Sequence, residues 1–124
     1  LLESLYRKNR TPYLRFAFEI AKYHHEHWDG AGYPEGLRGE EIPLAARIMA
    51  LADVYDALTT CRSYKAAFSH DKAREFILER SGSQFDPRIV DGFIRQEYEW
   101  QAVKERFQER VPPPFAQPCR IEVP

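Results

Sequence analysis

The chain has 124 residues, 44% of them hydrophobic and 14% aromatic, and a net charge of −1. That length suits one domain, that composition argues against a disordered chain, and that charge excludes the basic footprint of a general DNA or RNA binder. No apolar run approaches the roughly 20 residues of a membrane-spanning helix.

Leu1 to about Lys8 carries Leu1, Leu2, Leu5 and Tyr6, the remains of an amphipathic helix. Asn9-Arg10-Thr11-Pro12 interrupts it, because the residue before a proline disfavours helix. The spacing predicts a second helix from about Tyr13 to Trp28, with Leu14, Ala17, Phe18 and Ala21 on one face. From Asp29 to Ile42 the chain gathers Gly30, Gly32, Gly36 and Gly39 with Pro34, which predicts a loop. Loops of that length are usually functional or disordered. Pro43 suits a helix start, and Leu44, Ile48, Leu51, Tyr55 and Leu58 form a stripe. That helix, to Thr59, is apolar nearly all round and is expected to be the most buried. Arg62 to Phe68 connects it to a helix capped by Ser69, with Ala73, Phe76 and Ile77 inward and Gly82 at its end. Asp86-Pro87 starts another, running to about Glu109, with Ile89, Val90, Phe93 and Ile94 on one face. The expected fold is all-α, a helical domain over residues 1–110 followed by a Pro-rich tail over 111–124.

Three clusters carry chemistry. His24-His25-Glu26-His27 places two adjacent imidazoles at a helix end, either surface residues or one ligand each to two close metals. His27 reads as a surface histidine. Asp53 sits in the apolar helix with Asp56 as its only charged neighbour on that helix. An unpartnered buried carboxylate is costly, so either that face is exposed or a cation reaches it, an arginine or a metal. Arg62 and Lys65 are spaced to clamp a phosphate, or are solvated surface charges. Cys61 and Cys119 form no C-x-x-C pair and read as two thiols of a reducing compartment. No G-x-S-x-G, Walker A or G-x-G-x-x-G motif is present.

The run His24-His25-Glu26-His27-Trp28-Asp29-Gly30-Ala31-Gly32-Tyr33-Pro34, then Gly36-Leu37, Gly39-Glu40-Glu41-Ile42-Pro43, Arg47-Ile48, Ala52-Asp53-Val54-Tyr55-Asp56-Ala57-Leu58-Thr59, Arg62, Tyr64 and Phe85-Asp86-Pro87, closely resembles the HD-GYP branch of the HD phosphohydrolases. The resemblance covers about Leu1 to Phe93. It implies an all-helical, cytoplasmic domain of bacterial signalling that hydrolyses cyclic di-GMP or another cyclic dinucleotide. It implies two or three divalent transition metals, iron or manganese, with His24, His25 and Asp53 among their ligands. Tyr33, Arg62 and Lys65 would bind substrate, and Gly32, Tyr33 and Pro34 form the loop motif that also meets partners. Receiver, sensor or diguanylate-cyclase-type domains are the partners that the resemblance implies.

One departure matters. The family's His-Asp dyad lies upstream of the double histidine, and no histidine precedes His24 here. His70-Asp71 comes after Asp53, in the wrong place. The chain starts at Leu1 and its sole methionine is Met49, so it reads as a piece of a longer protein. The expectation is a phosphodiesterase of which these 124 residues hold metal ligands but no catalytic dyad, inactive as this segment and binding metal weakly or not at all. The competing expectation is a non-catalytic module that binds a nucleotide or a signalling partner through the Gly-Tyr-Pro loop. An exposed apolar face on Leu2, Leu5 and Tyr6 would favour a homodimer.

Overall fold

A computed structural model describes residues 1–60 and 66–109. Among them are six helices and no strand: α1 (Leu2–Lys8), α2 (Pro12–Tyr23), α3 (Leu44–Thr59), α4 (His70–Glu79), α5 (Pro87–Arg95) and α6 (Glu97–Glu109). The expected all-α class is what forms. A single 3-10 turn, Gly39–Glu41, lies in the loop between α2 and α3. Arg62, Lys65, Cys61, Cys119 and the Pro-rich tail lie outside the described residues.

The caps follow local chemistry. The Thr11 hydroxyl accepts from Leu14 N, Ser69 from Lys72 N, and the Asp86 carboxylate from Arg88 N, each satisfying an amide that the first turn leaves unpaired. Pro12 and Pro87 occupy first-turn positions, where their missing N–H costs nothing.

Helix α3 is the hub, packed against α2, α4 and α5. It buries Ala46, Leu51, Tyr55, Leu58 and Thr59, more residues than α1, α2, α4 or α5. Leu51, Tyr55 and Leu58 join Ala73, Ile77, Phe85, Val90 and Phe93 in one core. The upper part of the expected stripe behaves differently. Leu44 is 54% exposed and Ile48 47%, while Ala46 is fully buried. Near its N-terminus the helix therefore turns a different side inward, and the apolar stripe continues onto the surface. On α2, Leu14 and Phe18 are half-buried, but Ala17 and Ala21 are exposed.

The expected helix from Pro87 to Glu109 is two helices. It breaks at Gln96 (φ −115°, ψ 17°), whose N–H is shared between the Gly92 and Phe93 carbonyls. The break redirects α6. Trp100 packs edge-on against Tyr55 and Phe93, and Lys104 Nζ donates to the Thr59 carbonyl at 2.7 Å, near the C-terminal end of α3. Burial pushes the Lys104 ammonium below its ordinary pKa. A cavity of about 660 Å³ remains between α3 and α6, lined by Tyr55, Asp56, Trp100, Val103 and Lys104 among others. At the other end, Leu2 and Leu5 are exposed and Tyr6 is half-buried, stacked on Phe18 with centroids 5.9 Å apart.

Among the ion pairs of the described residues, the most buried joins α3 to the start of α5. Arg47 on α3 donates to Asp86 at 2.7 Å, and the Asp86 side chain is wholly buried. Arg47 Nε also donates to the Ile42 carbonyl at 2.9 Å. Burial pushes the Asp86 carboxyl up, but hydrogen bonds from Arg47 and from the Arg88 backbone and side chain outweigh it and hold it below the usual range. Breaking a buried pair leaves one charge uncompensated, so Asp86→Ala is expected to lower the unfolding free energy by about 3–5 kcal/mol in urea melts.

The sign of the pH effect follows. Because the folded state lowers the Asp86 pKa, the unfolded chain binds this proton more readily. The stabilisation is present above the unfolded value of about 3.9 and fades as pH falls through the folded value. Acid titration of stability should be shallower below about pH 4 in Asp86→Asn than in the wild type.

Candidate functional site

The expected helix to Trp28 ends at Tyr23, and this changes how the histidines are presented. His24 is the C-cap (φ −68°, ψ −11°) and His25 lies in the turn beyond it. They do not project from successive positions of a helix. The turn instead sets their rings side by side, with centroids 3.9 Å apart. The Ile20 carbonyl receives both the His24 backbone N–H, at 3.2 Å, and His24 Nδ1, at 2.7 Å. A carbonyl only accepts, so Nδ1 carries the proton and Nε2 of a neutral His24 keeps its lone pair. A main-chain carbonyl on one ring nitrogen is the usual partner of a metal-ligating histidine. His25 is exposed and His27 half-buried, the latter less open than expected.

The loop folds straight back onto this turn. The Tyr33 N–H donates to the His25 carbonyl at 3.2 Å, and the Tyr33 ring stacks on the His25 ring at 5.0 Å and 20°. Gly32 makes that return feasible. A Cβ there would lie 2.3 Å from His27 N and 2.5 Å from the His25 carbonyl oxygen, inside backbone that cannot yield. The loop is then hitched to the α4–α5 turn. Trp28 N donates to the Gln84 carbonyl at 3.2 Å and Asp29 N to the Ser83 carbonyl at 2.9 Å. Asp29 Oδ1 accepts from Ala31 N, and Gly39 N donates to the Trp28 carbonyl.

Glu26 was not singled out from the sequence. It is 2% exposed, and its two carboxylate oxygens accept from Glu35 N at 2.7 Å and Leu37 N at 3.0 Å. Nothing local distinguishes a buried glutamate from a surface one, so only an acidic residue just ahead of a glycine-rich loop could have hinted at it.

Asp53 lies on an exposed part of α3, and its carboxylate has no hydrogen bond or ion pair among the described residues. Exposure removes the cost of leaving it unpaired. Among the described residues no three His, Cys, Asp or Glu side chains stand close enough to hold an ion together. The structure thus brings His24 and His25 together and leaves Asp53 outside any such group. Two imidazoles with one ring nitrogen held are donors of the type a transition metal takes, but Asp53 does not join them in a group of three. Tyr33 is 61% exposed beside the pair. No predicted site residue lines the cavity between α3 and α6.

Residues 7–89 match the HD domain family model. The chain belongs to that family of HD-superfamily phosphohydrolases, in its HD-GYP branch. HD-domain phosphodiesterases are generally metal-dependent. It is 55% identical over 99 residues to a cyclic di-GMP phosphodiesterase of Vibrio cholerae, covering 80% of this chain and 20% of that one. It is 54% identical over 76 residues to the cyclic di-GMP phosphodiesterase response regulator RpfG of Xanthomonas campestris, covering 61% of this chain and 20% of that one. Among solved structures, a cyclic GMP-AMP specific phosphodiesterase of V. cholerae aligns with a TM-score of 0.51 at 34% identity, covering 68% of this chain and 21% of that one. The chain spans about a fifth of the length of these relatives. No helix among the described residues is long and apolar enough to cross a membrane.

Two glycines separate close approach from backbone conformation. Gly32→Ala must displace main chain and is expected to cost about 1–3 kcal/mol, as overpacking does. Gly39 has open space around it but φ +58°, so Gly39→Ala should cost only about 1–2 kcal/mol of left-handed strain. Thermal melts measure both, and only Gly32→Ala should also disturb the His25 ring.

Proposed function

We propose that this chain is part of a metal-dependent phosphodiesterase that opens cyclic di-GMP to a linear dinucleotide. The observation that carries this reading is the paired His24 and His25 rings, with His24 Nδ1 committed to the Ile20 carbonyl. The 55% identity to a cyclic di-GMP phosphodiesterase supports that substrate over the cyclic GMP-AMP named for a relative at 41%. In this reading His24, His25 and Asp53 hold divalent iron or manganese, two or three ions with ligands from outside the chain completing their shells. A metal there supplies Lewis acidity toward a phosphodiester.

The chain's own residues do the rest. The Ile20 carbonyl fixes the His24 tautomer, and Tyr33 covers His25 and offers a stacking face to a nucleobase at the edge of the loop. Arg62 and Lys65 take the phosphate charge that grows in the transition state. The His-Asp dyad comes from outside these residues, so this segment by itself should show little turnover. The protein works in the cytoplasm, joined to receiver, sensor or diguanylate-cyclase-type domains. A response regulator among the relatives supports that arrangement.

Cyclic di-GMP hydrolysis with added manganese or ferrous iron, on the full-length protein and on this segment in parallel, tests the reading. Asp53→Ala is expected to remove bound metal and more than about 100-fold of turnover, beyond what outer-shell partners contribute. Lys65→Ala should lower kcat by about 10²–10³-fold with metal content unchanged, as loss of one transition-state donor does. A full-length protein that is inactive but still binds a signalling partner through Tyr33 would establish the non-catalytic module instead.

A further inference from the structure

Glu26 has no part in the chemistry above, yet it is the most enclosed charge in the site loop, at 2% exposure. A buried carboxylate is costly unless its oxygens are hydrogen-bonded. Here one oxygen accepts from Glu35 N and the other from Leu37 N, on either side of Gly36. No Lys or Arg pairs with Glu26 among the described residues. Its binding capacity goes to two main-chain amides of the loop.

The path of the chain determines what this clamp controls. Glu26 directly follows His25, and its own N–H donates to the Tyr23 carbonyl at 3.0 Å, closing the end of α2. The loop leaves through Gly30, returns to lay Tyr33 on His25, and two residues later meets Glu26 at Glu35. Tyr33 is 61% exposed, so no surrounding core fixes its ring. What holds it is its own N–H on the His25 carbonyl, the Glu35 and Leu37 amides on Glu26, and the ion pair of the Glu35 side chain with Lys22 at 3.0 Å.

We infer that Glu26 is a positioning residue: by clamping the Glu35 and Leu37 amides it holds Tyr33 against His25, and so sets the orientation of that imidazole without touching metal or substrate. The requirement is specific. Aspartate is one methylene short of the two amides. Glutamine keeps the shape but turns an NH2 group toward an N–H donor, so one of the two bonds is lost. The consequence for metal affinity rests on the reading of His25 as a ligand; the coupling of Glu26 to the Tyr33–His25 contact does not.

The test uses this chain with Glu26→Gln, Tyr33→Ala and the double variant. NMR follows the His25 ring protons, which lie in the ring current of Tyr33. Amide exchange follows Glu35 and Leu37, and manganese titration gives metal affinity. Glu26→Gln is expected to keep its helical circular dichroism and to speed exchange at Glu35 and Leu37 by about tenfold or more. It should also move the His25 signals toward their positions in Tyr33→Ala. Tyr33→Ala should move the His25 signals while leaving those two amides protected. Manganese affinity should fall about 10–100-fold in Glu26→Gln, in the range of outer-shell losses, and no further in the double variant.

Unchanged His25 signals in Glu26→Gln, despite faster exchange at Glu35 and Leu37, would overturn the inference. So would unchanged exchange. If Glu26→Gln loses its helical signal, Glu26→Asp takes its place with the same readouts and the same two overturning results. A wild-type chain that binds no manganese, as expected of a segment without the remaining ligands, leaves the NMR and exchange readouts to decide the role of Glu26.

Discussion

The Arg47–Asp86 pair ties together three stretches of chain and gives them a directional link that their apolar contacts lack. Arg47 belongs to the central helix, Asp86 caps α5, and the second bond from Arg47 goes to the Ile42 carbonyl, where the long loop ends. A hydrophobic pair at this position could bury the same area but could not aim. The planar guanidinium fork fixes both distance and angle, and each of its bonds goes to a different element. Arg88 extends the link by reaching Glu40 at 2.7 Å, on the exposed side of the same loop. The loop that carries the Gly-Tyr-Pro motif is thus anchored at its far end by charge.

Along its length the loop is held by main chain. Trp28 and Asp29 donate to Gln84 and Ser83, Tyr33 to His25, and Gly39 to Trp28, while Glu26 reaches from the near end to Glu35 and Leu37. Few of these bonds depend on side-chain identity. They depend on the backbone coming close, and at Gly32 on there being no Cβ at all. The motif reads as a run of particular residues, but most of what it does physically is to let one strand of backbone lie on another.

This explains what the sequence disclosed and what it did not. Ser69 and Asp86-Pro87 start helices through bonds made within three residues, so their signals are local and were legible. The lower part of the α3 stripe was legible because Leu51, Tyr55 and Leu58 all enter one core. The end of α2 at Tyr23 was not. No glycine or proline stops the helix before Gly30, and the stop is tertiary, imposed by the loop folding back. The break at Gln96 is of the same kind, since its benefit is the docking of Trp100 and Lys104 on α3. The two histidines were legible as a pair, but their side-by-side placement depends on that unforeseen stop. Asp53 was read either as lying on an exposed face or as met by a cation, and it stands on an exposed part of α3.

The interruption at Gln96 also gives α6 a kinetic character of its own. A helix continuous with α5 could only detach by unravelling from its tip. One that is separately seated, resting on Trp100 against Tyr55 and Phe93, the Arg74–Glu97 contact and the Lys104–Thr59 bond, can swing away as a unit while the core around Ile77 and Ala73 stays closed. Lifting α6 in this way is a sub-global opening that would widen the neighbouring cavity without unfolding the whole domain.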